Sequence, residues 1–255
     1  MSEFFLELFS EEIPAGLQKN LREKIFEDFK NLFEEKSIRS KKNFSFSTPN
    51  RLVLVFEGLD KQIKIKSKEI RGPKTSAPEQ ALEGFLRSNK INKKDLFKKK
   101  TEKDEFYFYK TVATSLKTHD LLTEFIPKIL SNYQWKKSMK WGEFDLNWGR
   151  PLKSILSIFD KKIVSFKFHH LTSSNLTFLD KDFEEKKRSF ENFKKYEKFF
   201  EDNGVIVNQN KRLKIINKSF LKILGKKGLK INENPKLMDE VVNLVDSPNV
   251  LLCKF

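Results

Sequence analysis

The sequence has few of the residues from which disulfides and metal sites are built. Among 255 residues there is one cysteine, Cys253, and there are three histidines, His119, His169 and His170. A single thiol excludes an internal disulfide and a thiolate metal cluster, and the three imidazoles lack the spacing of a zinc site. We therefore expect no metal site in this chain and a reducing, intracellular environment.

Phosphate-binding loops and catalytic clusters are also missing from the sequence. The nine glycines form neither a GxGxxG pattern nor a Walker-type loop, and Gly225–Gly228 instead predicts a helix C-cap. His169-His170 has no serine or cysteine motif nearby, and the adjacent acids Glu11-Glu12 and Glu184-Glu185 point apart on a helix or strand. The sequence predicts no catalytic residue.

Long hydrophobic runs are absent too. No apolar stretch approaches the roughly 18 residues needed to cross a bilayer. The segment Met1–Phe9 has no basic region and contains acids, which does not fit a signal peptide. We expect a soluble, cytoplasmic protein.

Positive charge, in contrast, is abundant. Lys and Arg total 51 against 35 Asp and Glu, which gives a formal net charge of +16. Such an excess favours partners with phosphate backbones. Lys, Asn, Ile and the 26 Phe residues are all frequent, which also fits a drift in codon usage, so both explanations stay open.

Hydrophobic spacing predicts a mixture of strands and helices. Predicted strands lie at Phe4–Phe9, on both sides of the turn Thr48–Asn50 within Asn43–Phe56, and at Lys61–Ile70, Phe106–Ala113, Leu152–Phe159, Ile163–Phe168 and Val250–Cys253. Predicted helices are Pro14–Lys36, Ala77–Arg87, Leu121–Tyr133, Asp182–Asp202, Leu213–Gly225 and Leu237–Val245. Arg71–Lys74 is expected to break a strand, Asn89–Lys103 to form a solvated loop or frayed helix, and Asp160–Lys162 to form a hairpin turn.

These elements follow no strict βαβ rhythm, which predicts an α+β fold of mixed sheets with packed amphipathic helices and more than one subdomain. We divide the chain into an N-terminal α+β segment (1–70), a β-rich middle region with a basic, Trp-containing loop (71–180) and a mainly helical region (181–255). The last predicted strand has nothing after it with which to pair. This suggests that the natural polypeptide continues.

One irregular segment mixes lysines with aromatic residues. Trp135–Gly142 contains Lys136, Lys137 and Lys140 between two tryptophans. Lysines contact phosphates while indoles stack on bases in single-strand recognition. The alternative, which we favour for the tryptophans, is a surface loop whose indoles pack into the core.

Six short motifs, in one order along nearly the whole chain, resemble the N-terminal portion of the beta subunit of the heterotetrameric bacterial-type glycyl-tRNA synthetase. They are Phe5–Leu8 with Glu11–Pro14, Ser47–Leu52, Glu69–Pro73, Ala81–Phe85, Lys140–Gly142 with Trp148–Pro151, and Leu237–Val242 with Val245 and Pro248. The sequence departs from this family at Ser174–Phe178, where relatives carry a Gly-His-Arg motif, and at Asn50, which replaces the first of two arginines. The later regions of the family lie outside the resemblance.

The resemblance implies a glycine–tRNA ligase subunit that does not itself activate glycine. It implies an alpha-subunit partner in a tetramer of two alpha and two beta subunits, with ATP and Mg²⁺ used by the alpha subunit and no cofactor in this chain. It also implies binding of tRNA(Gly), with no membrane or DNA partner.

Candidate phosphate contacts are cations at turns or loops, from which a long side chain would reach outward. They are Arg51, Arg71, Lys74, Lys136, Lys137, Lys140 and Arg150. A stand-alone RNA- or DNA-binding module and a purely structural scaffold remain alternatives.

Overall fold

The structure is a computed structural model that describes residues 2–65, 67–101, 104–179, 187–228, 230–232 and 234–253. In these residues the strands are β1 (Glu3–Ser10), β2 (Lys42–Ser47), β3 (Arg51–Glu57), β4 (Gln62–Ile65), β5 (Glu69–Lys74), β6 (Leu96–Lys100), β7 (Glu105–Lys110), β8 (Thr114–Lys117), β9 (Leu152–Phe159), β10 (Lys162–Ile163), β11 (Lys167–Phe168), β12 (Leu171–Thr172), β13 (Leu176–Thr177) and β14 (Arg188–Ser189). The helices are α1 (Ala15–Glu35), α2 (Glu79–Asn89), α3 (Thr118–Asn132), α4 (Phe193–Asp202), α5 (Gln209–Lys227) and α6 (Pro235–Leu244), with a 3₁₀ turn at Lys93–Asp95.

The chain forms two compact units, one of residues 1–61 with 118–255 and one of residues 62–117. The predicted α+β class is confirmed. The predicted boundary at 180–181 lies outside the described residues, and the division into three segments stays a prediction. Among the helices that the structure describes, none has both the length and the apolar composition to cross a membrane.

The larger unit is built on a five-stranded sheet in the order β10-β9-β1-β3-β2, with antiparallel pairing throughout. The central strand β1 is buried on both faces because helices cover each side. Phe4 packs with Phe29 of α1, at 5.5 Å between ring centroids, and Phe5 on the other face packs with Tyr196 of α4 at 4.9 Å. The predicted strand at Phe4–Phe9 and the predicted helix after Pro14 are both confirmed.

The hairpin predicted at Asp160–Lys162 is also confirmed. Asp160 and Lys161 have φ angles of 50° and 66°, the left-handed pair of a type I′ turn, which matches the twist of β9 and β10. The strand predicted at Ile163–Phe168 is wrong in its extent, because only Lys162 and Ile163 pair with β9, while Lys167 and Phe168 pair with β12.

The smaller unit corrects three predictions. Lys61–Ile70 is not one strand but parts of two, since β4 pairs with β8 and β5 pairs with β7. Arg71–Lys74 does not break the strand, because β5 is an edge strand, where Pro73 is tolerated at a register irregularity. Asn89–Lys103 contains β6, which the aromatic strand β7 recruits into a sheet of order β5-β7-β6.

The C-terminal region mixes confirmed and wrong predictions. The helix predicted at Asp182–Asp202 starts only at Phe193 in the described chain, and residues 180–186 lie outside it. Gly228, with φ of 63°, ends α5 as the predicted C-cap. The strand predicted at Val250–Cys253 is wrong, because these residues have no regular secondary structure.

Candidate nucleic-acid interface

The loop between α3 and β9, residues 133–151, carries four of the predicted contact residues: Lys136, Lys137, Lys140 and Arg150. Two backbone hydrogen bonds close the middle of this loop. The Met139 N–H donates to the Trp148 carbonyl at 2.8 Å, and the Trp148 N–H donates back at 3.2 Å. The lysines therefore lie on a loop that is held by its own backbone.

An aromatic cluster anchors the same loop in the larger unit. Trp148 is 2% exposed and packs edge-to-face with Trp135, at 5.0 Å between ring centroids, and with Phe168 at 5.8 Å. Gly149 is required here because a Cβ atom at this position would lie 2.1 Å from the Trp135 ring. The expected packing of tryptophans into the core holds fully for Trp148, while Trp135 and Trp141 are half-buried.

The three lysines of the loop are exposed. The Lys140 ammonium lies 3.6 Å from the exposed Asp145 carboxylate, whereas Lys136 and Lys137 form no ion pair with any residue that the structure describes. Lys136 also borders a cavity of about 390 Å³ between the first turns of α1 and the start of the loop. Free ammonium groups on an anchored loop are well suited to phosphate contacts.

A partly exposed aromatic pair involves the same loop. Phe144 is 43% exposed and stacks on His170, with ring centroids 3.7 Å apart and 9° between the planes. Burial lowers the pKa of His170, and the nearby His169 lowers it further, so the His170 ring is neutral at physiological pH. No sequence spacing links Phe144 to His170, so the sequence does not predict this pair, which only the fold brings together.

Arg150 and the two candidates in the smaller unit have partners of their own. Arg150 is half-buried, and its Nη1 donates to the Gly149 carbonyl at 2.9 Å. The Arg71 guanidinium lies 3.6 Å from the centroid of the Phe106 ring, and the Lys74 ammonium lies 2.6 Å from the Asp104 carboxylate. The structure thus groups four candidates on the loop and two on β5.

Arg51 corrects a prediction, because its side chain does not reach outward. It is 2% exposed, and its Nη2 donates to the Phe178 carbonyl at 2.5 Å and the Leu179 carbonyl at 2.7 Å. Its guanidinium lies between the rings of Phe9 and Phe200, at 4.5 and 4.6 Å from their centroids. Arg51 begins β3 with its side chain on an enclosed face of the sheet.

The described residues contain no cluster of three or more His, Cys, Asp or Glu side chains with the arrangement of a metal site.

Comparison with known proteins places these features in a family. The family described as glycyl-tRNA synthetase beta subunit matches residues 4–255. Similar relatives are glycine–tRNA ligase beta subunits of Rickettsia canadensis (strain McKiel), 37% identical over 252 residues, and Rickettsia bellii (strain OSU 85-389), 38% identical over 253 residues; each match covers 99% of this chain and 38% of the relative. The chain belongs to the glycyl-tRNA synthetase beta-subunit family. It spans 38% of the length of these relatives.

Two of the motifs that resemble the glycyl-tRNA synthetase beta-subunit family meet in the core. Glu7 from the first motif is 0% exposed, and its carboxylate lies 3.7 Å from Nε of Arg51 from the second. The hydroxyls of Thr177 and Tyr196 donate to the same carboxylate. Burial raises the pKa of Glu7, against the opposing effects of Arg51 and the two hydroxyls. These motif residues support the fold.

The segment that departs from the family pattern also belongs to this buried cluster. Ser174–Phe178 supplies the Thr177 hydroxyl to Glu7 and the Phe178 carbonyl to Arg51. The departure from the Gly-His-Arg motif therefore falls where the chain closes over a buried ion pair.

Proposed function

We propose that this chain is part of the beta subunit of a glycyl-tRNA synthetase and contributes a cationic surface for tRNA(Gly). The alpha subunit would perform the ATP- and Mg²⁺-dependent attachment of glycine in the cytoplasm, within a tetramer of two alpha and two beta subunits. This chain supplies no catalytic residue in the proposal.

The observation that carries the proposal is the anchored loop with Lys136, Lys137 and Lys140, in a chain that belongs to this family. Its backbone bridge and buried Trp148 fix the loop backbone before binding, which reduces the entropic cost of ordering the loop on RNA. The net charge of +16 adds long-range attraction for RNA phosphates.

The test is a tRNA titration over a range of salt concentrations. Reversing Lys136, Lys137 and Lys140 to Glu together should weaken tRNA binding. It should also flatten the slope of log K against log salt by as much as about 3, because up to three phosphate contacts are lost. The matched control reverses Lys128, Lys195 and Lys198, helix lysines with 56–76% side-chain exposure, and thereby makes the same change in net charge.

Equal weakening by both triple variants would indicate a general charge effect and reject the loop as the contact surface. Co-purification with the alpha subunit, followed by a tRNA titration of the complex, separates the proposal from its alternatives. An alpha-bound complex with unchanged tRNA affinity in the loop variant would favour the structural scaffold.

A further inference from the structure

Much of the charge of this protein lies in its smaller unit. Residues 62–117 contain 15 lysines and arginines against 7 aspartates and glutamates, a surplus of eight out of the chain's formal +16. This unit is therefore strongly cationic for its size. Such a surface attracts a polyanion.

The strand register collects cations and aromatic rings on one face of the sheet β5-β7-β6. Directly paired residues of an antiparallel sheet point to the same side. Phe108 on the central strand pairs with Arg71 on one side and with Phe97 on the other. Phe106, two residues earlier, pairs with Lys99.

The helix α2 lies against the opposite face. Because successive side chains of a strand point to opposite sides, Gly72 faces away from the side on which Arg71 lies. A Cβ atom on Gly72 would lie 3.0 Å from the ring of Phe85 in α2. On the face that carries Arg71, Phe97 is 37% exposed and the Lys99 side chain is 55% exposed.

The exposed face is already ordered by its own contacts. Phe97 and Phe108 stack with ring centroids 6.0 Å apart and 27° between their planes. Phe106 is only 7% exposed, and the Arg71 guanidinium covers its ring at 3.6 Å from the centroid. The Lys99 ammonium lies 5.6 Å from the Phe108 centroid. Glu69 holds the Lys99 ammonium at 2.9 Å, which positions this cation and neutralises part of its charge.

We propose that this face, with Phe97 and Phe108 as its rings and Arg71 and Lys99 as its cations, is a stacking platform for unpaired nucleotides of RNA. Exposed π faces accept any base, and neighbouring cations follow the phosphate backbone. A duplex does not fit this chemistry because its bases are stacked on one another and their faces are not free. The inference rests on the proposed tRNA function and specifies a second contact, with a single-stranded part of the RNA.

Fluorescence anisotropy with the 255-residue chain tests the platform. The probes are a labelled, unpaired RNA of about 12 nucleotides, the same RNA annealed to its complement, and intact tRNA. Phe97→Leu keeps an apolar side chain of similar size but removes the aromatic face. Its control is Phe44→Leu on β2, since Phe44 is also 37% exposed and stacks on Phe46 at 6.0 Å.

Phe97→Leu should weaken binding of the unpaired RNA by roughly fivefold or more, and Phe44→Leu by less than about twofold. Lys99→Gln should flatten the salt slope by about 0.7. Its control is Lys128→Gln, which removes a 56% exposed lysine that also pairs with a glutamate and lies over a phenylalanine ring. If Phe97→Leu lowered the thermal stability, the comparison of Lys99→Gln with Lys128→Gln would decide whether the platform binds RNA.

Equal effects of Phe97→Leu and Phe44→Leu would overturn the platform, as would tighter binding of the duplex than of the unpaired RNA. If the loop lysine variant weakened tRNA binding but neither Phe97→Leu nor Lys99→Gln did, the platform would fail while the proposed function stood. If the wild-type chain bound neither the unpaired RNA nor tRNA, both would fail.

Discussion

Removing one hydroxyl from the buried cluster around Glu7 should measurably destabilise the larger unit. Tyr196 is 0% exposed, its ring packs on Phe5 at 4.9 Å and Phe200 at 4.4 Å, and its hydroxyl donates to the Glu7 carboxylate. Tyr196→Phe keeps the ring contacts and removes only the hydrogen bond. Losing this donor leaves a buried carboxyl oxygen without one of its partners, which costs about 1–3 kcal/mol, so we expect a loss of that size near neutral pH.

The loss should depend on pH. Burial raises the folded-state pKa of Glu7 above its usual value of 4.5, and the Tyr196 hydrogen bond offsets only part of that rise. A group with a raised folded-state pKa stabilises the fold most below its unfolded pKa, and that stabilisation is lost as the pH rises through the folded-state pKa. Without Tyr196 the pKa of Glu7 is higher still, so the variant loses more stability than the wild type on going to neutral pH.

Urea unfolding at about pH 4.5 and about pH 7.5, followed by tryptophan fluorescence, measures this difference. Tyr133→Phe is the control, because Tyr133 is half-buried and its hydroxyl makes no hydrogen bond to a described residue; we expect a change within about 0.5 kcal/mol. A Tyr196→Phe loss below about 0.5 kcal/mol, or a loss that shrinks as the pH rises, would refute the reasoning.

Two further variants test buried packing in the larger unit. Arg212 is 0% exposed, and although burial lowers its pKa to about 10, it remains charged at neutral pH. At 2.7–3.0 Å it donates to the carbonyls of Ser47, Ile206, Val207 and Val242. Arg212→Met should cost about 3 kcal/mol or more in urea unfolding, because it leaves several buried carbonyls without their donor and each unsatisfied acceptor costs about 1–3 kcal/mol; a loss under about 1 kcal/mol would contradict that role. Gly149→Ala should cost about 1–3 kcal/mol and shift tryptophan emission, because its Cβ displaces Trp135; an unchanged spectrum would argue against the close packing.

Local patterns predicted the elements that form the core. The period of α1 and the apolar runs of β1 and β3 were visible because a helix stripe or a doubly covered strand leaves its mark in consecutive residues. The strand β6 was not visible, because its Lys98-Lys99-Lys100 run resembles a solvated loop. It forms a strand because β7 offers it a ladder of backbone hydrogen bonds, which depends on a partner elsewhere in the chain.

The candidate site was likewise predicted only in part from local sequence. The basic, aromatic composition of residues 135–142 identified the loop, and its lysines are exposed as expected. The proline-containing turn before Arg51 predicted an outward side chain, yet this side chain lies in the core beside Glu7. A turn in the sequence shows where the chain reverses. It does not show which side of the sheet the next residue faces.

The sequence by itself determined the α+β class, the central strand and first helix, the cationic character and the family resemblance, because each depends on composition or on residues close together along the chain. Only the tertiary structure decided that Arg51 is a core residue, that Phe144 stacks on His170, and that rings and cations share one face of the β5-β7-β6 sheet. Those outcomes depend on strand register and on which face is covered. Both are set by contacts between residues that are far apart in the sequence.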